Sequence, residues 1–440
     1  MVAAAGTAVA RGAAHPQVLI DVAPTSRLHV FGMSLLERVV RSLVHAGVEP
    51  AAVRLRGVEP DGLEAETRAR LHEALPVGVP ITLEADREPL AARMAALARH
   101  GPLIAVEGDA VLDPRLLAHL LAQPESAAVL AGSGEVATAV VRLLEPLPPW
   151  APGGEAESLV TWTRAAVKEA GLATLSTEEV PDYLPKLRRR LPAFAFRVRS
   201  ARERDRAERQ LFTWSYKGST DFFTAHVYPP LVWPAVRWLA KHRVHPNLVS
   251  WLDVFLALGA VPLFAAGAWL PAFAMAWAMS VLDSVDGKLA RLTYRSSRWG
   301  HVLDHGLDVV HPPLWYLAWA WPLAAGGLRG PILGAAWLLV AAYVADRLVT
   351  EAFTRLSPRR VPGGASIHAW QPLDVRARTW ISRRNINLPI FTVGVAVGAA
   401  ELAFGLVVAW QMATLGFHGL RLVQLWREPV HSARAEGTSR

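Results

Sequence analysis

Cysteine is absent from all 440 residues. Disulfides, thiolate metal sites and cysteine nucleophiles are therefore excluded, and any catalytic metal must be held by oxygen or imidazole. A basic n-region and a cleavage site are missing from Met1 to Ala14, so this small, apolar stretch is expected to be a disordered leader over 1–15. No internal repeat is visible, which speaks against the repeat architecture of many transporters.

The residues present are unevenly distributed. Hydrophobic content is 52% and mean hydropathy is positive, more than one soluble core of ordinary size requires, so part of the chain is expected to lie in lipid. Residues 16–180 read as a charged α/β domain, 181–213 as a charged linker, 214–428 as a membrane domain and 429–440 as a disordered tail. The formal net charge of +8 does not point to nucleic acid. Its basic residues, such as Arg237, Lys241, Arg243, Arg376, Arg378, Arg383 and Arg384, cluster beside apolar runs, and tryptophans flank the same runs. That distribution suits a multi-pass protein of the cytoplasmic (inner) membrane with its basic face inside.

In the front half, short apolar runs such as Val18–Asp21, Ala52–Leu55 and Leu103–Val106 alternate with helical patterns such as Ser34–Ala46 and Pro114–Ala122, which predicts a mainly parallel, Rossmann-like sheet. Asp109 follows one strand and is read as capping a turn rather than holding a metal. The charged run from Pro181 to Arg209, including Lys186–Arg190, is either a solvated face or a basic collar at the headgroups.

Apolar segments in the second half run about Val249–Leu270, Pro271–Val285, Val302–Ala325, Pro331–Thr350, Leu388–Leu402 and Phe404–Leu425. Six helices with both termini on one side are expected, preceded by an interfacial helix within Phe222–Arg243. Between the second and third segments stand four carboxylates. Asp283 and Asp286 share one helical face, Asp304 and Asp308 another. In a hairpin all four converge, and like charges at a membrane boundary need cations to neutralise them. Oxygen ligands select magnesium, calcium or manganese. Gly287, Ala290, Gly300 and Gly306 keep the facing surfaces thin.

The spacing Asp283-x2-Asp286-Gly287-x2-Ala290-Arg291-x8-Gly300-x3-Asp304-x3-Asp308 resembles, position for position, the signature of the CDP-alcohol phosphotransferase family. The resemblance extends over about Trp214 to Trp426 and includes the Pro246-Asn247 pair, with Ser250 where threonine is more usual. It implies metal-dependent transfer of a substituted phosphate from a CDP-alcohol to an acceptor alcohol, with release of CMP. It further implies ligation by Asp283, Asp286, Asp304 and Asp308 of two Mg2+ or Mn2+ ions, and Asp308 as general base. Gly287, Ala290, Arg291, Gly300, Pro246 and Asn247 would line the CDP site, and a homodimer through the membrane helices is implied as well. His301 and His305 are rival bases, but their helical register favours surface or headgroup contacts.

For the acceptor, Arg347, Arg383 and Arg384 lie at helix ends where a phosphorylated alcohol could meet the metals; the alternative is that they anchor the cytoplasmic face. The front half resembles nucleotidyltransferase domains, in the arrangement of bifunctional inositol-phosphate cytidylyltransferase and di-inositol-phosphate-phosphate synthase proteins, which implies a donor such as CDP-inositol and an inositol phosphate acceptor. Its Ala23-Pro-Thr-Ser-Arg-Leu28 loop lacks the glycines of a phosphate cradle, so this domain is expected to be degenerate. Phosphatidyl transfer from CDP-diacylglycerol to a polar alcohol, as in phospholipid synthesis, is the second reading. A non-catalytic transporter or scaffold is the third.

Overall fold

The computed structural model describes residues 15–85, 88–132, 137–147, 158–184, 187–324, 330–361 and 364–430. The side chains of Arg298, His301, Asp304 and His305 lie outside the described set, as do Lys186, nearly all of the expected leader and residues 431–440 of the expected tail.

The front half is built on strands β1 (Gln17–Asp21), β2 (His29–Val30), β3 (Met33–Ser34), β4 (Ala52–Arg56), β5 (Ile81–Glu84), β6 (Leu103–Glu107), β7 (Ala110–Leu112), β8 (Ala127–Ala131), β9 (Thr138–Leu143), β10 (Ala173–Leu175), β11 (Tyr183–Leu184), β12 (Arg189–Arg190) and β13 (Ala195–Arg197). Seven of them form one sheet in the order β10-β8-β9-β6-β1-β4-β5. β9 runs antiparallel to both of its neighbours, and the other pairings are parallel. The near-continuous apolar strands follow from burial on both faces: β6 is buried at every position. Helices α1 (Leu35–His45), α2 (Ala65–Ala74), α3 (Leu90–Ala98), α4 (Pro114–Leu121) and α5 (Leu159–Ala170) flank the sheet. Val18, Val39 and Leu55 belong to one core cluster, and Leu19, Met94 and Trp162 to another. The stretch expected to be a linker is structured: β13 pairs antiparallel with β7, and α6 (Ala201–Trp214) starts on Ser200, whose side chain caps Glu203 N–H.

The second half is helical: α7 (Pro229–Lys241), α8 (Pro246–Ala265), α9 (Trp269–Leu292), α10 (Arg298–Leu323), α11 (Pro331–Arg360), α12 (Pro372–Arg378), α13 (Arg384–Ala396) and α14 (Ala400–Arg427). Among the described residues three of them, α8, α11 and α14, are long and apolar enough, by length and composition, to cross a membrane. Helices occupy all six expected segments, and one of those segments is interrupted. The Leu388–Leu402 segment is broken at Gly398, where φ is 75°, leaving α13 with 13 residues, short of the roughly 20 a span needs. The second expected segment is also longer than its apolar part, since α9 continues past Val285 to Leu292 and carries its carboxylates inside the helix. Helices α8, α9 and α10 pack together, as do α11, α13 and α14, around Phe264, Trp315, Trp319 and Phe391.

Candidate active site

Asp283, Asp286 and Gly287 project from one face of α9 because they are three and four positions apart, and Asp308 projects from α10. All four line one polar cavity, together with Arg291 of α9 and His311 of α10. Its walls are completed by Lys217, Thr220 and Asp221 from the segment before α7, by Asp346 and Arg347 of α11, and by Arg378, Arg383 and Arg384 around α12 and α13.

The carboxylates are held individually. Ser250 Oγ of α8 donates to Asp286 Oδ2 at 2.8 Å, and the Gly287 N–H donates to Asp286 Oδ1. Arg384 reaches between the two helices: Nη2 lies 2.6 Å from Asp283 Oδ2 and Nη1 lies 3.5 Å from Asp308 Oδ1. A guanidinium thus supplies the positive charge that two facing acids demand. The donor set is carboxylate oxygen, which suits a hard divalent cation. Among the described residues no three acidic or imidazole groups already form a cage; Arg384 is wedged where their charges would meet. The residues fit such an ion in kind, and Asp304, the fourth expected ligand, has a side chain outside the described set.

Asp308 is oriented through its backbone. Pro312 stands four residues on and has no N–H to give the Asp308 carbonyl. That oxygen instead accepts from Tyr343 Oη at 2.7 Å and from Arg347 Nη2 at 3.1 Å, both on α11. Arg347, expected near the acceptor, therefore also fixes the residue next to it. Arg383 lines the cavity and pairs with no carboxylate among the described residues, and Arg378 is buried, with Nη1 at 3.3 Å from His368 Nε2 and Nε without a partner among them. At the opposite wall Asp221 accepts from Thr224 N–H (2.9 Å), Thr224 Oγ1 (2.9 Å) and Asn385 Nδ2 (3.2 Å). Burial acts to raise its carboxyl, but these donors and Arg383 outweigh it and hold the group below the usual range.

Of the residues expected to line a CDP site, Gly287 and Arg291 face the cavity, whereas Ala290, Gly300, Pro246 and Asn247 are not among the described lining residues. Asn247 and Gly300 meet each other instead: Ser297 Oγ donates to Asn247 Oδ1 at 2.7 Å, and a Cβ on Gly300 would come within 2.9 Å of that same oxygen. Two polar residues were not singled out from the sequence. Asp253 of α8 is 3% exposed with Oδ1 unpartnered, and His311 is 1% exposed, with Nδ1 on the Leu307 carbonyl (2.6 Å) and Nε2 unpartnered. Each is an ionisable residue inside an apolar helix, the signal that could have found them.

The expected acidic strand end of the front half is closed from within. Arg197 of β13 donates to Glu107 Oε1 (2.8 Å) and to both Asp109 oxygens (2.7 and 3.0 Å), and Thr25 Oγ1 donates to Asp109 Oδ2 at 2.7 Å. Asp109, expected to cap its turn, takes its bonds from these distant side chains instead. Burial pushes the Glu107 carboxyl up, with Arg197 and Thr138 pulling the other way.

The hairpin of acids on α9 and α10, facing a basic wall, defines a site for handling phosphate. Residues 243–418 match the family described as CDP-alcohol phosphatidyltransferase, so this part of the chain is a domain of that family. The protein is accordingly an enzyme, a transferase of substituted phosphate groups, and the transporter and scaffold readings are set aside. No curated protein matches the chain. Among solved structures it is similar to the Mycobacterium tuberculosis phosphatidylinositol phosphate synthase PgsA1 with CDP-DAG bound, at 20% identity over 44% of this chain and 94% of that one, TM-score 0.31. The same protein in complex with manganese and citrate matches at 20% identity over 44% and 89%, TM-score 0.32. A Bacillus anthracis protein described as a glucose-1-phosphate thymidylyltransferase, in complex with a sucrose, matches at 9% identity over 45% and 95%, TM-score 0.31.

Proposed function

We propose that this enzyme transfers the phosphate-linked alcohol of a CDP-alcohol to a second, phosphorylated alcohol at the cavity between α9, α10 and α11. The observation that carries this reading is the cavity's division of charge: Asp283, Asp286 and Asp308 on one side, Arg347, Arg378 and Arg383 on the other. In the reaction the acceptor oxygen attacks the phosphorus nearest the transferred alcohol. The new P–O bond forms as the pyrophosphate P–O bond breaks, and CMP leaves with the electron pair. Asp308 takes the hydroxyl proton, oriented by the Tyr343 and Arg347 grip on its carbonyl. Arg291, beside Gly287, binds the diphosphate, and Gly287 lets it approach the backbone. Arg378 and Arg383 hold the acceptor's phosphate. Asp283, Asp286, Asp304 and Asp308 would hold Mg2+ or Mn2+, in a pair of ions, which supplies charge neutralisation at the pyrophosphate.

On this reading residues 16–180 are a degenerate nucleotidyltransferase-like domain, 181–213 a connection, and 214–428 the membrane domain, which crosses the cytoplasmic membrane several times. Its active site faces the cytoplasm, and the protein acts as a homodimer. CDP-inositol with an inositol phosphate acceptor follows from the fused front half. Phosphatidyl transfer from CDP-diacylglycerol is the second reading, favoured by the family's own description. Detergent-purified enzyme given each donor with inositol 1-phosphate or glycerol 3-phosphate separates them: CMP from CDP-inositol alone supports the first, CMP from CDP-diacylglycerol alone the second. CMP from neither donor contradicts both.

A further inference from the structure

Two residues past the end of each of α7 and α9 stands a residue that is left-handed without being glycine: Arg243 at φ 55° and Tyr294 at φ 52°. That conformation costs an L-residue about 1–2 kcal/mol and persists where the surroundings over-determine it. Both ends close in the same way. Val244 N–H donates to the Leu239 carbonyl at 2.9 Å and Arg295 N–H to the Ala290 carbonyl at 3.1 Å, the wide closing bond of a helix that ends on a left-handed residue, a place usually given to glycine.

Both strained residues are held by α1 of the front half. Glu37, its side chain 1% exposed, accepts from Arg41 Nε at 2.9 Å and from Arg243 Nη2 at 3.3 Å. Arg38, also 1% exposed, donates from Nη2 to the carbonyl of Leu292 at 2.7 Å, the last residue of α9, and its guanidinium lies 5.5 Å from the Tyr294 ring. A buried cation on the last carbonyl of a helix also meets the negative end of its dipole. Ser42 Oγ donates to Tyr294 Oη at 3.2 Å. Just before α1, Gly32 sits so close to α7 that a Cβ there would lie 1.9 Å from the Ala240 carbonyl oxygen. Val30, Phe31 and Leu35 share one apolar core with Val236, Val285, Leu289 and Leu292. The two halves are therefore joined through packed, buried surface.

We infer that α1 is a positioning clamp for the catalytic hairpin: through Arg38 the front half fixes the turn between α9 and α10, through Glu37 the turn between α7 and α8 that packs beside it, and so sets Asp283 and Asp286 against Asp308. The inference rests on the proposed reading of those carboxylates as the reactive centre. It also gives the front half a task that its own acidic pair, closed by Arg197, does not perform. Arg38 and Glu37 are positioning residues, since each touches one of the two turns and not the cavity.

The test uses the full chain in detergent and two readouts that need no substrate: hydrogen exchange over residues 289–300, and Mn2+ affinity by titration calorimetry well below the unfolding temperature. Arg38→Met is expected to speed exchange in that segment and weaken Mn2+ binding, each by about tenfold, the equivalent of the roughly 1.4 kcal/mol of turn strain it releases. Arg38→Lys should fall between, and Arg54→Met, which loses a distant ion pair with Glu84, should change neither. Exchange that stays at the wild-type rate overturns the clamp. Faster exchange with unchanged Mn2+ affinity overturns its positioning role and leaves only packing. Wild-type protein that binds no Mn2+ overturns the reading of the carboxylates themselves, and the positioning role with it. Should Arg38→Met fail to fold, Tyr294→Phe, which keeps the ring and loses the hydroxyl that meets Ser42 and Arg38, carries the same readouts.

Discussion

Arg384 stands between Asp283 and Asp308 as a built-in counter-charge, so its removal separates the protein's need for positive charge from its need for that side chain. Arg384→Met leaves the two acids facing each other, and its unfolding temperature in EDTA should fall below that of the wild type. Saturating Mn2+ should restore it more than it lifts the wild type, because a ligand at a hundredfold excess over its Kd stabilises by about 2.7 kcal/mol. Thermal unfolding monitored with and without Mn2+ checks this; equal lifts in both proteins would mean that the acids do not take the ion. At this scale the acids were legible because an eight-position pattern of fixed spacing is carried by the chain itself. Arg384 was legible as a basic residue near the site, but its pairing was not, since it depends on how far α13 lies from α9. His311 and Asp253 stand as ionisable residues in apolar helices, a signal present in the sequence but not among the expectations drawn from it.

Among the elements, α10 shows how a proline can serve a site. Pro312 withholds the N–H that would occupy the Asp308 carbonyl, and α11 answers with Tyr343 and Arg347. Tyr343→Phe removes the shorter of the two bonds. It should cost about 1 kcal/mol of stability and slow CMP release through the loosened Asp308, with the KM for the donor little changed; steady-state kinetics on the variant check the split. An unchanged kcat would show that Arg347 alone suffices. The proline was visible in the sequence, whereas its partners are set by packing of α11 on α10 and were not. The ends of α9 and α13 were misjudged for a related reason. Apolar length marks where a helix meets lipid, but α9 continues into polar residues buried by its neighbours, such as Lys288, whose ammonium lies 3.9 Å from the Tyr216 ring centroid. Gly398 ends α13 inside what reads as one apolar run.

Across the whole molecule, the division into an α/β half and a helical half was written in composition, and the parallel-rich sheet in the alternation of short apolar runs with helical patterns. The contact between the halves was not. Phe31, Leu35, Val236 and Leu289 look like ordinary core positions of separate units, and only the folded chain shows them in a single cluster. The charged stretch before the membrane part likewise proved to be strand and helix, with Arg237 of α7 bound to Glu208 of α6 at 2.7 Å, because its charges pair across elements. This continuity joins the closed front site, the strained turns and the acidic hairpin in one structure, whose proposed output is phosphate transfer at the cavity. The most direct test is CMP formation by the purified full chain with Mg2+, with EDTA, and with Asp308→Asn in place of the wild type. The account predicts CMP in the first case, none in EDTA, and a loss of about 10²–10⁴-fold in the variant, the contribution of a positioned general base. CMP formed at the wild-type rate by Asp308→Asn, or unaffected by EDTA, would contradict it.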